Sequence, residues 1–175
     1  MVACMLSFYA CDKVKESTET DVKVDKATIE LRDITVQEPT RAEALNPFNA
    51  TQSVSLDQIA GFSEDLMKYK GKISDINVNA MTITITAPPD DGTTVEDFKL
   101  TADGVAAELT IPQYSFGAAY PVEGAQTFAT LLMLKMFQDN SVTMTVSGKT
   151  DVTSGKNLQV TVEMEDLVFT VGALN

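Results

Sequence analysis

Asp97-Phe98-Lys99-Leu100-Thr101-Ala102-Asp103-Gly104-Val105-Ala106-Ala107-Glu108-Leu109-Thr110-Ile111 is the stretch that decides the fold. Asp103-Gly104 is the dipeptide of a two-residue type I′ turn, in which both central residues take positive φ. Such a turn pairs 102 with 105, 100 with 107 and 98 with 109. Phe98, Leu100 and Ala102 then share a face with Val105, Ala107 and Leu109, while Lys99 stands opposite Glu108 on the other face. A hairpin with one apolar and one charged face is the building unit of an antiparallel sheet that buries one side.

The same period of two runs outward in both directions. Toward the C-terminus, Val142, Met144 and Val146 and then Leu158, Val160, Val162 and Met164 are all even-numbered, which predicts a second hairpin across the odd loop Thr153-Ser154-Gly155. The phase slips after Glu165-Asp166, and Leu167, Phe169 and Val171 continue as a last strand. Toward the N-terminus, Ile76 and Val78 and then Met81, Ile83 and Ile85 predict a long strand that changes face near Ala80, with Thr82, Thr84 and Thr86 on its other side. A strand that changes face commonly crosses between sheets. Ile29 and Leu31 give way to Ile34 and Val36 through a one-residue slip at Asp33, the mark of a bulge. The segment from Glu38 to Ala50, with Pro39, Asn46 and Pro47, reads as a connection.

Two helices are expected. Val54 and Leu56 lead into Ile59, Phe62, Leu66 and Tyr69, whose spacing of three, four and three makes one helical face that stops near Gly71. Ala125 to Asp139 carries Phe128, Leu131, Leu132, Met133, Leu134, Met136 and Phe137 with few interruptions. A helix apolar nearly all round is either core or offers one side to a ligand or partner, and Leu131, Leu134 and Phe137 are the candidate contacts for that role. About seven short strands with two short helices define a mainly β chain, an antiparallel β-sandwich with a partly open barrel as the alternative.

Composition narrows the function. The 175 residues are 44% hydrophobic, enough to build one core and too apolar for a disordered chain. With 13 basic against 25 acidic residues the chain is acidic, at a net charge of -12, and no basic cluster is available to neutralise phosphates, so nucleic acid is not an expected partner. There is no His, which removes imidazole as a base or metal ligand. No catalytic, cofactor-binding or metal site is expected, and the chain reads as a non-enzyme.

Individual motifs fall to plainer readings. Gly148-Lys149-Thr150 has the tail of a phosphate-binding loop, yet Thr143 stands where the loop requires Gly. Pro88-Pro89-Asp90-Asp91-Gly92 is turn chemistry with no spaced set of oxygen ligands behind it. Glu163, Glu165 and Asp166 form a solvated strand face rather than a glycosidase-like carboxylate pair, the one arrangement a hydrolase could use here. Tyr114, Phe116 and Tyr120 suit packing better than stacking on a sugar or peptide. Asn49-Ala50-Thr51 fits the glycosylation acceptor pattern, which means nothing if the host is bacterial.

The N-terminus supplies the location. Met1 to Cys11 are apolar except for Ser7, and the chain then turns at once into Asp12-Lys13-Val14-Lys15-Glu16-Ser17-Thr18-Glu19. Such a run is too short to span a bilayer. It lacks the basic head of a secretory signal and reads as the second half of one, with its start codon further upstream. Phe8-Tyr9-Ala10-Cys11 resembles the lipobox of bacterial lipoproteins, departing from it in having Phe8 for the usual Leu and Tyr9 for a small residue.

From Asp25 onward the layout is similar to small cell-envelope lipoproteins of unknown function from Bacteroidota: a charged tether, a first strand, a helix feeding Met81-Thr82-Ile83-Thr84-Ile85-Thr86, the strand Phe98-Lys99-Leu100-Thr101-Ala102-Asp103-Gly104, a helix and a closing hairpin. The resemblance implies a truncated lipoprotein signal peptide at 1–10, lipid attachment at Cys11 with a tether over 11–25, and a β-sandwich over 26–175. It implies a lipid-anchored location in the bacterial cell envelope, with the periplasm among the expected compartments and the outer membrane favoured over the inner. The membrane is then a partner through the anchor, and an envelope protein is a second. The function expected is binding or scaffolding, with two alternatives: a carrier of an apolar small molecule near 125–139, or a carboxylate-based hydrolase.

Overall fold

The computed structural model describes residues 19–40, 44–87 and 94–172. Its strands are β1 (Thr20–Thr35), β2 (Asn46–Ser55), β3 (Ile73–Thr86), β4 (Thr94–Ala102), β5 (Leu109–Ser115), β6 (Tyr120–Pro121), β7 (Ser141–Thr150) and β8 (Asn157–Val171). Helix α1 (Glu64–Lys68) lies between β2 and β3, and α2 (Gln126–Asp139) between β6 and β7. Two four-stranded antiparallel sheets form a sandwich, ordered β1-β8-β3-β6 and β2-β7-β4-β5. The expected mainly β sandwich is therefore what the chain builds, with eight strands.

The pairing has a simple rule. First strand pairs with last, second with seventh, third with sixth and fourth with fifth, and successive pairs alternate between the sheets. That is one long antiparallel ribbon, with β4–β5 at its tip, wrapped into two layers: the jelly-roll arrangement. Its interior is filled from both sides, by Ile29, Leu31, Ile83, Ile85, Val160 and Val162 from one sheet and Val95, Phe98, Leu100, Ile111, Met144 and Val146 from the other, all essentially inaccessible to water.

The tip differs in register from the tight hairpin. Val105 N–H donates to the Ala102 carbonyl at 3.1 Å, so a turn does form at Asp103-Gly104. Only Gly104 has positive φ, at +75°, and a type I′ turn needs it at both positions. Asp103 is held instead by β7, its N–H donating to the Thr143 carbonyl at 2.9 Å. Residues 105–108 loop out, and β5 pairs two residues later than expected, with Phe98 opposite Ile111 and Leu100 opposite Leu109. A shift of two preserves which face each residue occupies, so Phe98, Leu100, Ala102 and Leu109 are still buried. Val105 and Ala107 are left half-buried. Lys99 and Glu108 still meet, Nζ to Oε2 at 2.6 Å.

Other expectations need correction. β7 and β8 are not a hairpin: β7 pairs with β2 and β4, and β8 with β1 and β3. The passage from Thr150 to Lys156 carries the chain from one sheet to the other and is fastened at each step. Thr150 Oγ1 donates to the Thr94 carbonyl at 2.8 Å and accepts from Val152 N–H at 3.2 Å. Asn46 Nδ2 donates to the Val152 carbonyl at 2.6 Å, and Gly155 N–H to the Val36 carbonyl at 2.8 Å. Val152 itself is fully buried.

β3, for its part, does not cross between sheets. Its buried series changes from Ile76 and Val78 to Met81, Ile83 and Ile85, as expected, but β8 slips in the same row, between Met164 and Leu167. Because both strands slip together, their register continues unbroken, with Val78 opposite Leu167 and Ala80 opposite Glu165. Asp166, with φ 52°, sits in that row. The slip at Asp33 is a bulge as anticipated, with φ 55° and a register shift between Leu31 and Ile34.

β2 begins at Asn46, inside the expected connection. An edge strand tolerates Pro47 because its missing N–H can face outward, and Phe48 gains about 2 to 3 kcal/mol by burying its ring. The expected helix over 59–69 is mostly absent. Ala60 bridges to Thr28 of β1, so the chain is extended there, and α1 starts only after Ser63, whose Oγ accepts from Leu66 N–H at 3.2 Å. β1 extends back to Thr20, six residues ahead of the expected start of the sandwich at 26.

Gly148 is explained by Phe48, its partner across β2–β7. A Cβ on Gly148 would lie 2.7 Å from Phe48 Cζ and 3.1 Å from the Glu96 carbonyl oxygen, so the ring occupies the space a side chain would need. Gly148→Ala is expected to destabilise the domain by about 1 to 3 kcal/mol, measured by urea unfolding.

Candidate functional site

Cys11, the expected lipid attachment site, lies outside the described residues, as does Pro88 to Gly92. The other candidates fall on α2. It runs from the edge strand β6 to β7 and packs against β3 of one sheet and β7 of the other. Phe128, Ala129, Leu132, Met133, Met136 and Phe137 are buried, and Asn140, at φ 70°, closes the helix by donating to the Met136 carbonyl at 2.9 Å.

The three candidate contacts separate. Phe137 is only 4% exposed and stacks in an aromatic cluster, its ring centroid 5.5 Å from Phe62 and 5.3 Å from Phe169. Leu131 and Leu134 are half-buried. Leu134, Phe137 and Gln138 form one wall of a surface groove of about 470 Å³ whose other wall is Lys70, Gly71 and Ile73, in and beside a 3-10 turn before β3. Leu131, one turn earlier, does not line it. Its lining mixes the apolar side chains of Ile73, Leu134 and Phe137 with the Gln138 amide and the Lys70 ammonium. Nothing in the local sequence of the 3-10 turn announced Lys70 or Ile73, because they reach α2 only through the tertiary fold.

A second groove, of about 520 Å³, runs between β1 and β2 and is lined by polar groups that include Glu30, Arg32, Gln52 and Gln58. The Gln52 amide spans it, accepting from Arg32 N–H at 3.3 Å and donating to the Arg32 carbonyl. Arg32 also pairs with Glu30. These groups satisfy one another, which suits closure of the sandwich edge. Among the described residues no group of three or more His, Cys, Asp or Glu is placed to hold a metal ion.

The remaining motifs are structural. Tyr114 Oη donates to the Ala118 carbonyl and accepts from Ile85 N–H at 3.1 Å, and its ring packs edge-on against Phe116 and Tyr120. Burial pushes its phenol above the ordinary value of 10.0, partly offset by the Ile85 amide. Glu163 pairs with Lys26, and Asp166 accepts from Asn79 Nδ2 at 3.4 Å. Asn49 to Thr51 lies on β2, with the Thr51 hydroxyl on that of Thr145 at 2.9 Å.

No protein-family model matches the chain, and no curated protein matches it. Among solved structures it is similar to the BFDV capsid protein in decameric form, at TM-score 0.41 and 7% identity, covering 86% of this chain and 98% of that one. The 60-mer of the BFDV capsid protein gives 0.40 and 8% over 91% and 97%, and Desmodium yellow mottle tymovirus 0.34 and 10% over 90% of each chain. Likeness this slight carries no argument about function.

Three outcomes are expected at these sites. Leu132→Ala and Phe137→Ala should each cost about 2 to 5 kcal/mol in urea unfolding, whereas Leu134→Ser should cost under about 1 kcal/mol. Tyr114→Phe should cost about 1 to 3 kcal/mol by leaving the buried Ile85 N–H without its acceptor. The wild type should lose stability as the pH rises past 10.0, where the unfolded chain ionises Tyr114 first and the folded one resists, and Tyr114→Phe should flatten that decline.

Proposed function

We propose that the chain is a non-enzymatic, membrane-anchored lipoprotein of the bacterial cell envelope that binds or scaffolds another envelope component. The observation that carries this reading is Cys11, set between an apolar run and a charged segment that leads into a folded β-sandwich. Eight residues, 12–19, separate it from β1, and at full extension they reach at most about 29 Å. An acylated Cys11 would therefore hold the sandwich close to the bilayer, where acyl chains contribute about 0.8 kcal/mol per buried CH₂. The outer membrane is the site we favour.

The groove at Leu134 and Phe137 favours a second reading, a carrier of an apolar molecule. Its apolar side chains and the Lys70 ammonium suit an amphiphile with one anionic group. A fluorescent fatty acid bound by the wild type but not by Leu134→Asp would support that reading over the first.

For the anchor, the gene is expressed in a bacterial host and its product labelled with a clickable palmitate. Label should enter the protein, Met1 to Ala10 should be absent from the mature chain, and Cys11→Ser should abolish both. Label persisting in Cys11→Ser would refute the anchor.

A further inference from the structure

A sandwich of two open sheets has four edge strands, and each offers backbone N–H and C=O groups to any strand that comes alongside. Here the edges are β1 and β6 in one sheet and β2 and β5 in the other. Three of them contain a proline: Pro47 in β2, Pro112 in β5 and Pro121 in the two-residue β6. Proline removes a donor and discourages pairing. β1, Thr20-Asp21-Val22-Lys23-Val24-Asp25-Lys26 onward, has none over its 16 residues.

Most of the β1 edge is closed by the chain itself. Thr28 exchanges backbone hydrogen bonds with Ala60, at 2.9 and 3.1 Å, and the backbone of Gly61 lies against the Lys26 carbonyl. Further along, Arg32 is bridged by Gln52 and Val36 by Phe48. Among the described residues β8 is the one strand paired with Thr20 to Val24, and no other backbone hydrogen bond reaches that part of the edge. Val22 and Val24 there are only half-buried, though they pack against the core.

We infer that this open edge pairs with the same edge of a second copy of the chain, β1 against β1, antiparallel about a twofold axis at Val22. The order of charges selects the register. With Val22 opposite the partner's Val22, Asp21 falls opposite the partner's Lys23, and Lys23 opposite the partner's Asp21, so two symmetric cross-strand ion pairs form at once. Thr20 then faces the partner's Val24, and pairing ends where Lys26 and Gly61 close the edge. An axis at Lys23 instead would oppose two lysines and set each Asp21 against the partner's Asp25. Asp21 is already positioned on the sheet, accepting from Thr170 Oγ1 at 3.1 Å, and Lys23 has no ion pair among the described residues. The half-buried valines would be covered by their copies. The two sheets would join into one of eight strands.

A contact this short is small for a stable dimer, so weak association is expected in solution. Sedimentation velocity of the full chain in mild detergent, at concentrations up to about 1 mM, should follow a monomer–dimer equilibrium. Asp21→Lys and Lys23→Asp should each raise the dimer Kd about tenfold or more, by placing like charges opposite one another at two symmetric positions. Mixing the two variants in equal amounts should restore dimerisation, because lysines on one chain then face aspartates on the other.

Bulk charge makes the opposite forecast for Asp21→Lys, which reduces the net negative charge and would promote association. Val22→Cys provides an independent readout, a disulfide-linked dimer formed on oxidation beyond that of the parent chain, with thermal melts verifying that each variant is folded. A chain that stays monomeric throughout, or a dimer indifferent to both charge reversals, would overturn the inference. It does not depend on the anchor: palmitate labelling and dimerisation fail separately.

Discussion

The passage from Thr150 to Lys156 is the constraint on which the sandwich depends. The strands on either side of it bury the same parity of residues, and the same alternation would serve equally well if they lay side by side in one sheet. What separates them is a set of hydrogen bonds local to the passage: the Thr150 hydroxyl to Thr94, the Val152 carbonyl to Asn46 and Gly155 to Val36. Each ties the turn to a different part of the ribbon, and Val152 is drawn into the core between them. With that passage in place, β7 can sit between β2 and β4 while β8 sits between β1 and β3. Closing the first strand on the last is a non-local pairing of the sort that folds slowly.

Alternation in a sequence reports which residues face the core. It does not report which strand lies alongside. That distinction accounts for most of what was legible here and most of what was not. Phe98, Leu100, Ala102 and Leu109 were identifiable as interior because a two-residue shift leaves faces unchanged, while the shift itself was invisible, set by the distant Thr143 carbonyl that holds Asp103. The bulge at Asp33 and the slip at Asp166 could be read because each interrupts a clear period of two. The partner of the Asp166 slip, near Ala80 in β3, could be read as a change of face but not as a matched one, since matching is a property of neighbours.

Edge strands and short helical turns were the least legible parts. β2 was hidden by Pro47 and Asn46, whose turn preference is overridden once Phe48 buries its ring over Gly148. The spacing of Ile59, Phe62, Leu66 and Tyr69 suggests a helix, yet the bridge from Ala60 to Thr28 holds its first part extended. Of the groove's α2 wall, Leu134 and Phe137 were among the three contacts named from the sequence, while Leu131 lies outside it and Gln138 was not named; the Lys70 to Ile73 wall was not readable at all. The separation of Phe137 into the core and Leu134 onto the surface depends on where Phe62 and Phe169 arrive, which no local pattern encodes.

Thr20 stands opposite Val171, so the start of the first strand and the end of the last are neighbours in the same sheet. A pull that drew those two points apart would load the β1–β8 ladder one rung at a time, as a zipper is opened, rather than shearing all its hydrogen bonds together. The domain would then be mechanically soft along this axis even though its interior is densely filled. A tether at the N-terminal side and a load at the C-terminal side would act on that seam first, and β1 would peel away before the opposite sheet registered any strain.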